Sequence, residues 1–207
     1  MDPIRKNGRT GIVLAGGGSS RFPFHKAFAR YKNRYFYEHA VGCMKQLTDD
    51  VVLVSRTDIA ERMKNADAEV IFDLPEYQGQ GPLSGILSGM TNRKESEWFA
   101  IVTCDMPFVM PLVFEQLFSI AEQKPGTQAV VPVAAGRNQP LAAIYHRSCK
   151  DHIIRLLLEE KRSMYGLLQS VNTTFADAEE FDISQEVFVN INTDEEYKHY
   201  IESASFE

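Results

Sequence analysis

Glycines and cations stand close together near the beginning of the sequence. Four apolar residues (IVLA) precede Gly16, Gly17 and Gly18, and Arg21 and Lys26 follow them. Glycines let a backbone approach an anion closely and present its N–H groups, and cationic side chains neutralise the anion's charge. The pattern predicts a phosphate-binding loop, and mobile cations suit a triphosphate whose charge shifts during a reaction. The structural alternative is a tight turn in which the glycines supply positive φ angles.

This loop matches neither of the two common phosphate-binding motifs. A dinucleotide fingerprint needs a third glycine where Arg21 stands. A Walker loop needs Gly-Lys followed by Ser or Thr, but no glycine precedes Lys26 and Ala27 follows it. No acidic residue ends a second strand at the distance that NAD binding requires, because Glu38 lies on a helical pattern. The sequence therefore disfavours an NAD-dependent oxidoreductase.

Carboxylate and amide side chains follow other apolar runs of the sequence. Asp105 comes directly after FAIVTC, and a carboxylate just beyond a buried strand can hold Mg²⁺ against phosphate oxygens. The alternative for Asp105 is a helix cap before the next proline. Two further clusters are Asp73 with Gly81, and Asn190 with Asn192. For the asparagines, the alternative is a polar turn that caps the final helix.

The elements that must position these residues alternate between short apolar runs and helical patterns. The predicted strands are residues 11–15, 51–55, 69–72, 99–103, 129–132, 141–145 and 187–190, and the predicted helices lie within 36–47, 83–90, 113–121 and 153–157. Strands of nearly continuous Val and Ile, separated by helices, predict an α/β fold with three layers: a mostly parallel sheet with helices on both faces. Ligands of such sheets bind beyond the carboxyl ends of the strands, so we expect the polar clusters on one rim.

Bulk composition limits the kind of protein this chain can form. With 207 residues, 44% of them hydrophobic, the chain suffices for one core, and we predict a single domain spanning residues 1–207. No run approaches the roughly 18 apolar residues of a membrane span, and residues 1–9 lack the apolar run of a signal peptide. Cys43, Cys104 and Cys149 have no metal-ligand spacing, so we predict reduced core thiols. A cytoplasmic protein without a membrane segment is expected.

The formal charge of −6, from 22 Lys and Arg against 28 Asp and Glu, argues against a general nucleic-acid surface. The charge is also unevenly distributed. Residues 1–34 carry eight cations against one carboxylate, whereas residues 173–207 carry ten carboxylates against one lysine. A cationic pocket on an acidic body suits a small polyanion better than a polymer.

Several segments, in order over most of the chain, resemble the molybdenum cofactor guanylyltransferases. They are LAGGGSSR (14–21) with Lys26, Asp73 with GQGPLSG (79–85), TCDMPF (103–108), QPLAAIY (139–145) and NINT (190–193). The resemblance implies a Rossmann-like nucleotidyltransferase fold and an enzyme that transfers GMP from GTP to molybdopterin, giving the dinucleotide cofactor and pyrophosphate. The first glycine of LAGG favours the guanylyl members, because cytidylyl relatives tend to have alanine there.

The resemblance also implies roles for individual residues. The predicted catalytic residues are Arg21, Lys26 and Asp105, with Asp105 as the Mg²⁺ ligand. The predicted nucleotide-binding residues are Leu14, Ala15, Gly16, Gly17, Gly18, Lys26, Asp73 and Gly81. The predicted acceptor-binding residues are Gln139, Asn190 and Asn192, with Arg137 and Arg162 near the acceptor's phosphate. Docking onto cofactor-insertion proteins is implied by the resemblance as well.

The loop departs from the family pattern at two places. The family usually has Met-Gly after the arginine and Asp before the lysine, whereas this chain has Phe22-Pro23 and His25. Pro23 has no N–H to give a phosphate and narrows the conformations of the loop, which points to lower affinity or activity. We predict His25 as an exposed loop histidine. Two alternatives stay open: a cytidylyl- or other nucleotidyltransferase acting on a small phosphorylated acceptor, or a catalytically silent GTP-binding protein.

Overall fold

The computed structural model describes residues 8–18, 22 and 24–202. The strands are β1 (Arg9–Leu14), β2 (Arg30–Tyr31), β3 (Arg34–Tyr35), β4 (Asp50–Ser55), β5 (Glu69–Phe72), β6 (Trp98–Thr103), β7 (Ala129–Ala134), β8 (Arg137–Asn138), β9 (Ala142–His146) and β10 (Thr173–Asp177). The α-helices are α1 (Phe36–Lys45), α2 (Thr57–Ala60), α3 (Pro82–Asn92), α4 (Pro111–Gln123), α5 (Cys149–Leu158), α6 (Met164–Ser170) and α7 (Asp194–Tyr197). Short 3₁₀ helices cover Lys26–Phe28, Glu61–Met63, Pro75–Tyr77, Ala178–Phe181 and Gln185–Phe188, and a π-helical turn covers Lys198–Glu202.

The main sheet has the strand order β10-β7-β9-β6-β1-β4-β5, with β8 paired to β7. Along this path β9 runs antiparallel to both of its neighbours, and the other neighbouring strands are parallel. The carboxyl ends of β1, β4, β5 and β6 therefore meet at one edge. This arrangement confirms the predicted α/β fold with a mostly parallel sheet.

Apolar side chains cover both faces of the sheet. In β1, Ile12 belongs to the core beneath α3, α5 and α6, whereas its neighbour Val13 belongs to the core beneath α1 and α4. Ile101 and Val102 divide between the same two cores in β6. Successive side chains of a strand point to opposite faces, so a continuous Val and Ile run fills two cores at once. Burying each of these side chains contributes about 1.5–3 kcal/mol.

Two glycines let α3 approach the sheet. A Cβ on Gly89 would lie 2.5 Å from Ile12 Cδ1, and a Cβ on Gly85 would lie 2.8 Å from Leu14 Cδ2. Residues four apart share one face of a helix, so both glycines face β1. The close approach brings the beginning of α3 to the carboxyl end of the sheet.

The structure differs from the predicted elements near the end of the chain. The strand predicted at 187–190 is wrong, because the 3₁₀ helix Gln185–Phe188 takes its place and buries Val187 and Phe188 against the core of α1 and α4. The unpredicted edge strand β10 pairs with β7 and leaves Phe175 49% exposed. An edge strand with one open face lacks the continuous apolar run that marks a buried strand. Strand β9 is the antiparallel member of the mostly parallel main sheet.

The cysteines are free and buried, as predicted. Burial raises the pKa of Cys43 and Cys149 to about 12 and also raises that of Cys104, so the thiols stay protonated at neutral pH. Among the helices of residues 8–18, 22 and 24–202, none combines the length and the hydropathy of a membrane span.

Candidate active site

A cavity of about 350 Å³ opens at the carboxyl ends of β1, β4, β5 and β6. Its described lining consists of Leu14, Gly16, Gly17, Gly18, Lys26, Val54, Ser55, Arg56, Asp73, Gly79, Gly81, Pro82, Gly85, Thr103, Cys104, Asp105 and Leu141. Residues from the glycine loop, from the end of β5 and from the end of β6 therefore share one cavity. Three of the four polar clusters predicted for one rim lie in this lining, and the cluster of Asn190 and Asn192 does not.

The glycine loop leaves open space above its backbone. A Cβ built on Gly17 or Gly18 would have no atom of the described chain within 4 Å, and a Cβ on Gly16 would touch Arg56 Cγ at 3.5 Å. Positive φ angles occur at other described glycines but not at these three, so a left-handed turn does not explain them. Ala15 lies in the core instead of the cavity lining, and its N–H donates to the Val54 carbonyl at 2.8 Å. The buried alanine anchors a loop whose next residues are open to a ligand.

Lys26 and Asp105 form an ion pair inside this cavity. Lys26 Nζ donates to Asp105 Oδ2 at 2.5 Å and to Asn192 Oδ1 at 2.8 Å. The side chains of the pair are only 12% and 13% exposed. Asp105 Oδ1 and Thr103 Oγ1 are buried and have no hydrogen-bond partner in the described part of the chain. A buried carboxylate oxygen without a partner is costly and marks a place for a ligand.

Asp73 lies elsewhere in the cavity lining, at the end of β5. Its Oδ2 accepts hydrogen bonds from the Gly79 N–H at 3.1 Å and from Ser84 Oγ at 3.2 Å. Gly79 and Gly81 have φ angles of 72° and 82°, a region that favours glycine. The carboxylate thus orders a loop that only glycines form readily. Arg162 lies beside this loop, because its carbonyl oxygen would be 3.9 Å from a Cβ on Gly81.

The three predicted acceptor-binding residues, Gln139, Asn190 and Asn192, all lie outside the described cavity lining. The Gln139 amide donates to the Arg137 carbonyl at 3.4 Å, and the Asn190 amide donates to the Phe188 carbonyl at 3.4 Å. Of the three, Asn192 has a recorded contact with the Lys26–Asp105 pair, through Lys26.

Sequence reasoning missed Ser55 and Arg56, which line the cavity at the end of β4. Arg56 is held by a bidentate contact with Asp58, from Nε to Oδ1 at 2.9 Å and from Nη2 to Oδ2 at 2.8 Å. The sequence does mark these two residues, because they directly follow the apolar run VVLV (51–54), as the other polar clusters follow their strands. Arg56 is the second cation of the described lining.

Two of the residues that depart from the family pattern, His25 and Phe22, have defined contacts in the structure. His25 is half-buried, not exposed as predicted, and caps the 3₁₀ helix Lys26–Phe28. Burial, followed by the charge of Arg56, lowers the pKa of His25, so the side chain is neutral at pH 7. Phe22 is 8% exposed and packs edge-on against Phe24 and Tyr197, with ring centroids 5.1 and 5.7 Å away. Arg21 and Pro23 lie outside the described residues.

A protein-family model described as the MobA-like NTP transferase domain matches residues 11–174. The chain belongs to the MobA-like NTP transferase family. A Bacillus cereus member named "Probable molybdenum cofactor guanylyltransferase" is 45% identical over 90% of this chain and 92% of its own length. A Halalkalibacterium halodurans protein of the same name is 38% identical over 93% of this chain and 97% of its own length.

A solved structure of a MobA-like protein has the same fold. It is the "Molybdopterin-guanine dinucleotide biosynthesis protein A" of Archaeoglobus fulgidus, with a TM-score of 0.81 and 27% identity over 96% of this chain and 100% of that chain. The family model ends at residue 174, before Asn190 and Asn192, but the relatives cover about nine-tenths of the chain. The MobA-like match therefore includes the glycine loop, Asp73 and Asp105.

Proposed function

We propose that this protein transfers GMP from GTP to the phosphate of molybdopterin, releases pyrophosphate and forms the guanine dinucleotide cofactor. One observation carries the proposal: Lys26 and Asp105 meet at 2.5 Å in a cavity that is lined by open glycine backbone. The volume of about 350 Å³ falls within the range of small-molecule sites, about 300–1,000 Å³. Relatives that are 38–45% identical carry the name of this activity.

The transfer of GMP between two phosphate-containing substrates requires mainly positioning of the substrates and neutralisation of their charge. The acceptor is a phosphomonoester, which is largely dianionic at pH 7 because its second pKa lies near 6. It needs no general base, so the enzyme must bring two anions together and stabilise the pyrophosphate that leaves. We assign the backbone of Gly16, Gly17 and Gly18 to the phosphates, and Lys26 and Arg21 to the α-phosphate and the leaving group.

We propose Mg²⁺ as the metal ion, with Asp105 as its protein ligand. The residues fit this ion, because Asp105 Oδ1 and Thr103 Oγ1 are buried oxygens without partners in the described chain, and Mg²⁺ prefers oxygen ligands. The described residues contain no group of three or more His, Cys, Asp or Glu that could hold a metal. The remaining ligands would therefore come from phosphate and water, as is usual for Mg²⁺. When bound, the ion neutralises charge on the triphosphate.

We propose that Asp73 accepts hydrogen bonds from the guanine base. Both recorded bonds of its carboxylate end on Oδ2, and the Oδ1 atom lies 3.7 Å from the position of a Cβ on Gly85, another residue of the cavity lining. Guanine offers N1–H and N2–H on one edge, so one carboxylate can accept from both. Cytosine presents one amino donor and an acceptor there. This difference supports a preference for GTP over CTP.

The test is to incubate the purified protein with Mg²⁺, molybdopterin and each of the four nucleoside triphosphates in turn. We expect pyrophosphate and a dinucleotide product with GTP, and Lys26→Ala should lower the rate about 10²-fold or more. A preference for CTP would establish the cytidylyl alternative. GTP binding without pyrophosphate release would establish the silent GTP-binding protein and refute the transfer proposal.

We also propose a cytoplasmic location and direct transfer of the product to cofactor-insertion proteins. The free cysteines of the described chain support a reducing compartment. Direct transfer would protect a labile pterin from water. Fractionation of the cell and crosslinking of the loaded protein would test these two points.

A further inference from the structure

We propose that Asn192 is a positioning residue that aims the Lys26 ammonium at the nucleotide, and that it is not a contact for the acceptor. The segment of residues 189–197 then acts as a brace, a name used below for these residues alone. The inference rests on the proposed guanylyl transfer for its kinetic readout only. Its evidence is a chain of contacts from the brace to both members of the Lys26–Asp105 pair.

The first contact is direct. Asn192 Oδ1 accepts from Lys26 Nζ at 2.8 Å, while Asp105 Oδ2 accepts from the same nitrogen at 2.5 Å. A lysine side chain has several rotatable bonds, and each fixed acceptor reduces the directions in which its ammonium can point. Two acceptors on different segments therefore hold Nζ inside the cavity before a nucleotide arrives.

The brace holds Asn192 itself in place. The backbone N–H groups of Asn192 and Thr193 donate to Glu196 Oε2 at 2.6 and 3.0 Å, and the Glu196 N–H donates to Thr193 Oγ1 at 3.1 Å. This is a capping box, in which a helix end and the residue before it satisfy each other's hydrogen bonds. The predicted capping turn is therefore real, and it orients Asn192 toward Lys26.

The neighbouring residue fixes the other member of the pair. The Ile191 N–H donates to the Asp105 carbonyl at 2.8 Å, and the Ile191 side chain is fully buried. Consecutive residues of the brace thus contact Asp105 through its backbone and Lys26 through its side chain. A shift of the brace would move both groups together.

The far end of the brace is attached to the region around the glycine loop. Tyr197 OH donates to the Arg30 carbonyl at 2.8 Å, and the Tyr197 ring lies 5.7 Å from Phe22 and 6.0 Å from Phe36. Phe22 replaces the methionine usual in the family, and its ring strengthens this attachment by an edge-to-face contact. The brace is therefore attached at two places, to Lys26 and Asp105 near its middle and to Arg30 and Phe22 at Tyr197.

The experiment compares Asn192→Ala, Asn192→Asp and the matched control Asn190→Ala. The recorded side-chain bond of Asn190 goes to the Phe188 carbonyl at 3.4 Å, away from Lys26. The affinity for Mg-GTP is measured by calorimetry without molybdopterin, and KM for each substrate is measured in turnover. Asn192→Ala should weaken GTP binding about tenfold, as loss of one hydrogen bond to a charged group does, and leave the KM for molybdopterin within about twofold.

Asn192→Asp keeps an oxygen facing the ammonium but adds a negative charge beside the triphosphate, so it should hold the ammonium in place while weakening GTP binding. Asn190→Ala should not change the GTP affinity. The proposal is overturned if Asn192→Ala binds GTP normally and raises only the KM for molybdopterin, because that is the signature of an acceptor contact. Equal loss of GTP affinity in both alanine variants would also overturn it, since the effect would then belong to the whole segment.

A second measurement does not depend on the reaction. Lys26 acylation by an amine-reactive ester is followed by mass spectrometry, with the 43%-exposed Lys45 as internal reference. Asn192→Ala should raise the labelling of Lys26 relative to Lys45 at least about threefold, because the ammonium loses one of the acceptors that hold it. Unchanged labelling would refute the positioning role. If the wild-type protein made no dinucleotide, the proposed guanylyl transfer would be refuted, but the labelling result would still test the positioning role of Asn192.

Discussion

The ion pair between Lys26 and Asp105 makes a stability prediction that is independent of the reaction. Both side chains are nearly buried, and Nζ and Oδ2 are 2.5 Å apart. At an effective dielectric constant of about 20, their attraction is about 7 kcal/mol. Removal of both charges from water offsets much of it, but loss of only one partner leaves the other buried alone, which costs about 3–5 kcal/mol.

The two single substitutions should differ in cost. Lys26→Met leaves the Asp105 carboxylate without a hydrogen-bond partner among the described residues, so we expect the free energy of unfolding to fall by about 4–5 kcal/mol. In Asp105→Asn, Lys26 can still donate to Asn192 and to the new amide oxygen, so we expect the free energy of unfolding to fall by about 3 kcal/mol. In the double variant neither charge is left alone, and its cost should fall below the sum by at least about 2 kcal/mol.

The assay is urea unfolding of the wild type, the two single variants and the double variant at pH 7 without nucleotide. Lys161→Met is the matched control, because its partner Glu159 and Lys161 itself are 47% and 64% exposed, and such surface pairs contribute about 0–1 kcal/mol. Additive costs in the cycle, within about 0.5 kcal/mol, would refute the reasoning, since they would show that the two groups do not interact energetically.

Three further predictions concern packing, base recognition and pH. Gly89→Ala should lower the free energy of unfolding by about 1–2 kcal/mol, because overpacking against Ile12 outweighs the better helix propensity of alanine. The loss should be smaller in an Ile12→Val background, and an equal loss in both backgrounds would contradict the close contact. Asp73→Asn should weaken GTP binding about tenfold or more. Ser84→Ala removes one hydrogen bond to Asp73 but keeps the carboxylate, so it should change GTP binding less than about threefold. Equal effects of the two substitutions on GTP binding would mean that Asp73 only orders its loop. Burial lowers the pKa of His25 below 6.5 in the folded state, so the unfolded chain protonates His25 more readily and stability falls as the pH drops below about 6.5. In urea unfolding, His25→Gln should lose less unfolding free energy between pH 7 and pH 5 than the wild type. An identical loss would exclude this contribution of His25.

Strand ends were the part of the site that the sequence predicted best. Asp73, Asp105 and the glycine loop follow apolar runs whose boundaries are local in sequence, and a parallel sheet brings such ends to one edge. The contact between Asn192 and Lys26 joins residues 166 positions apart and depends on a capping box at the other end of the chain. No local pattern encodes that distance. The wrong strand at 187–190 has the same origin, because its apolar residues are buried by a turn on the core and not by pairing in the sheet.

The charges around the cavity refine the cationic pocket that the sequence suggested. Four charged residues belong to its described lining, and Lys26 and Arg56 are matched by Asp73 and Asp105. Lys26 also pairs with Asp105, and Arg56 pairs with Asp58 outside the lining. These charges sum to zero, so they cannot by themselves attract a triphosphate carrying several negative charges. In the proposed reaction the missing positive charge would arrive with the nucleotide as a divalent ion or come from Arg21. The unpartnered oxygen of Asp105 and the Arg21 side chain would then meet one electrostatic requirement.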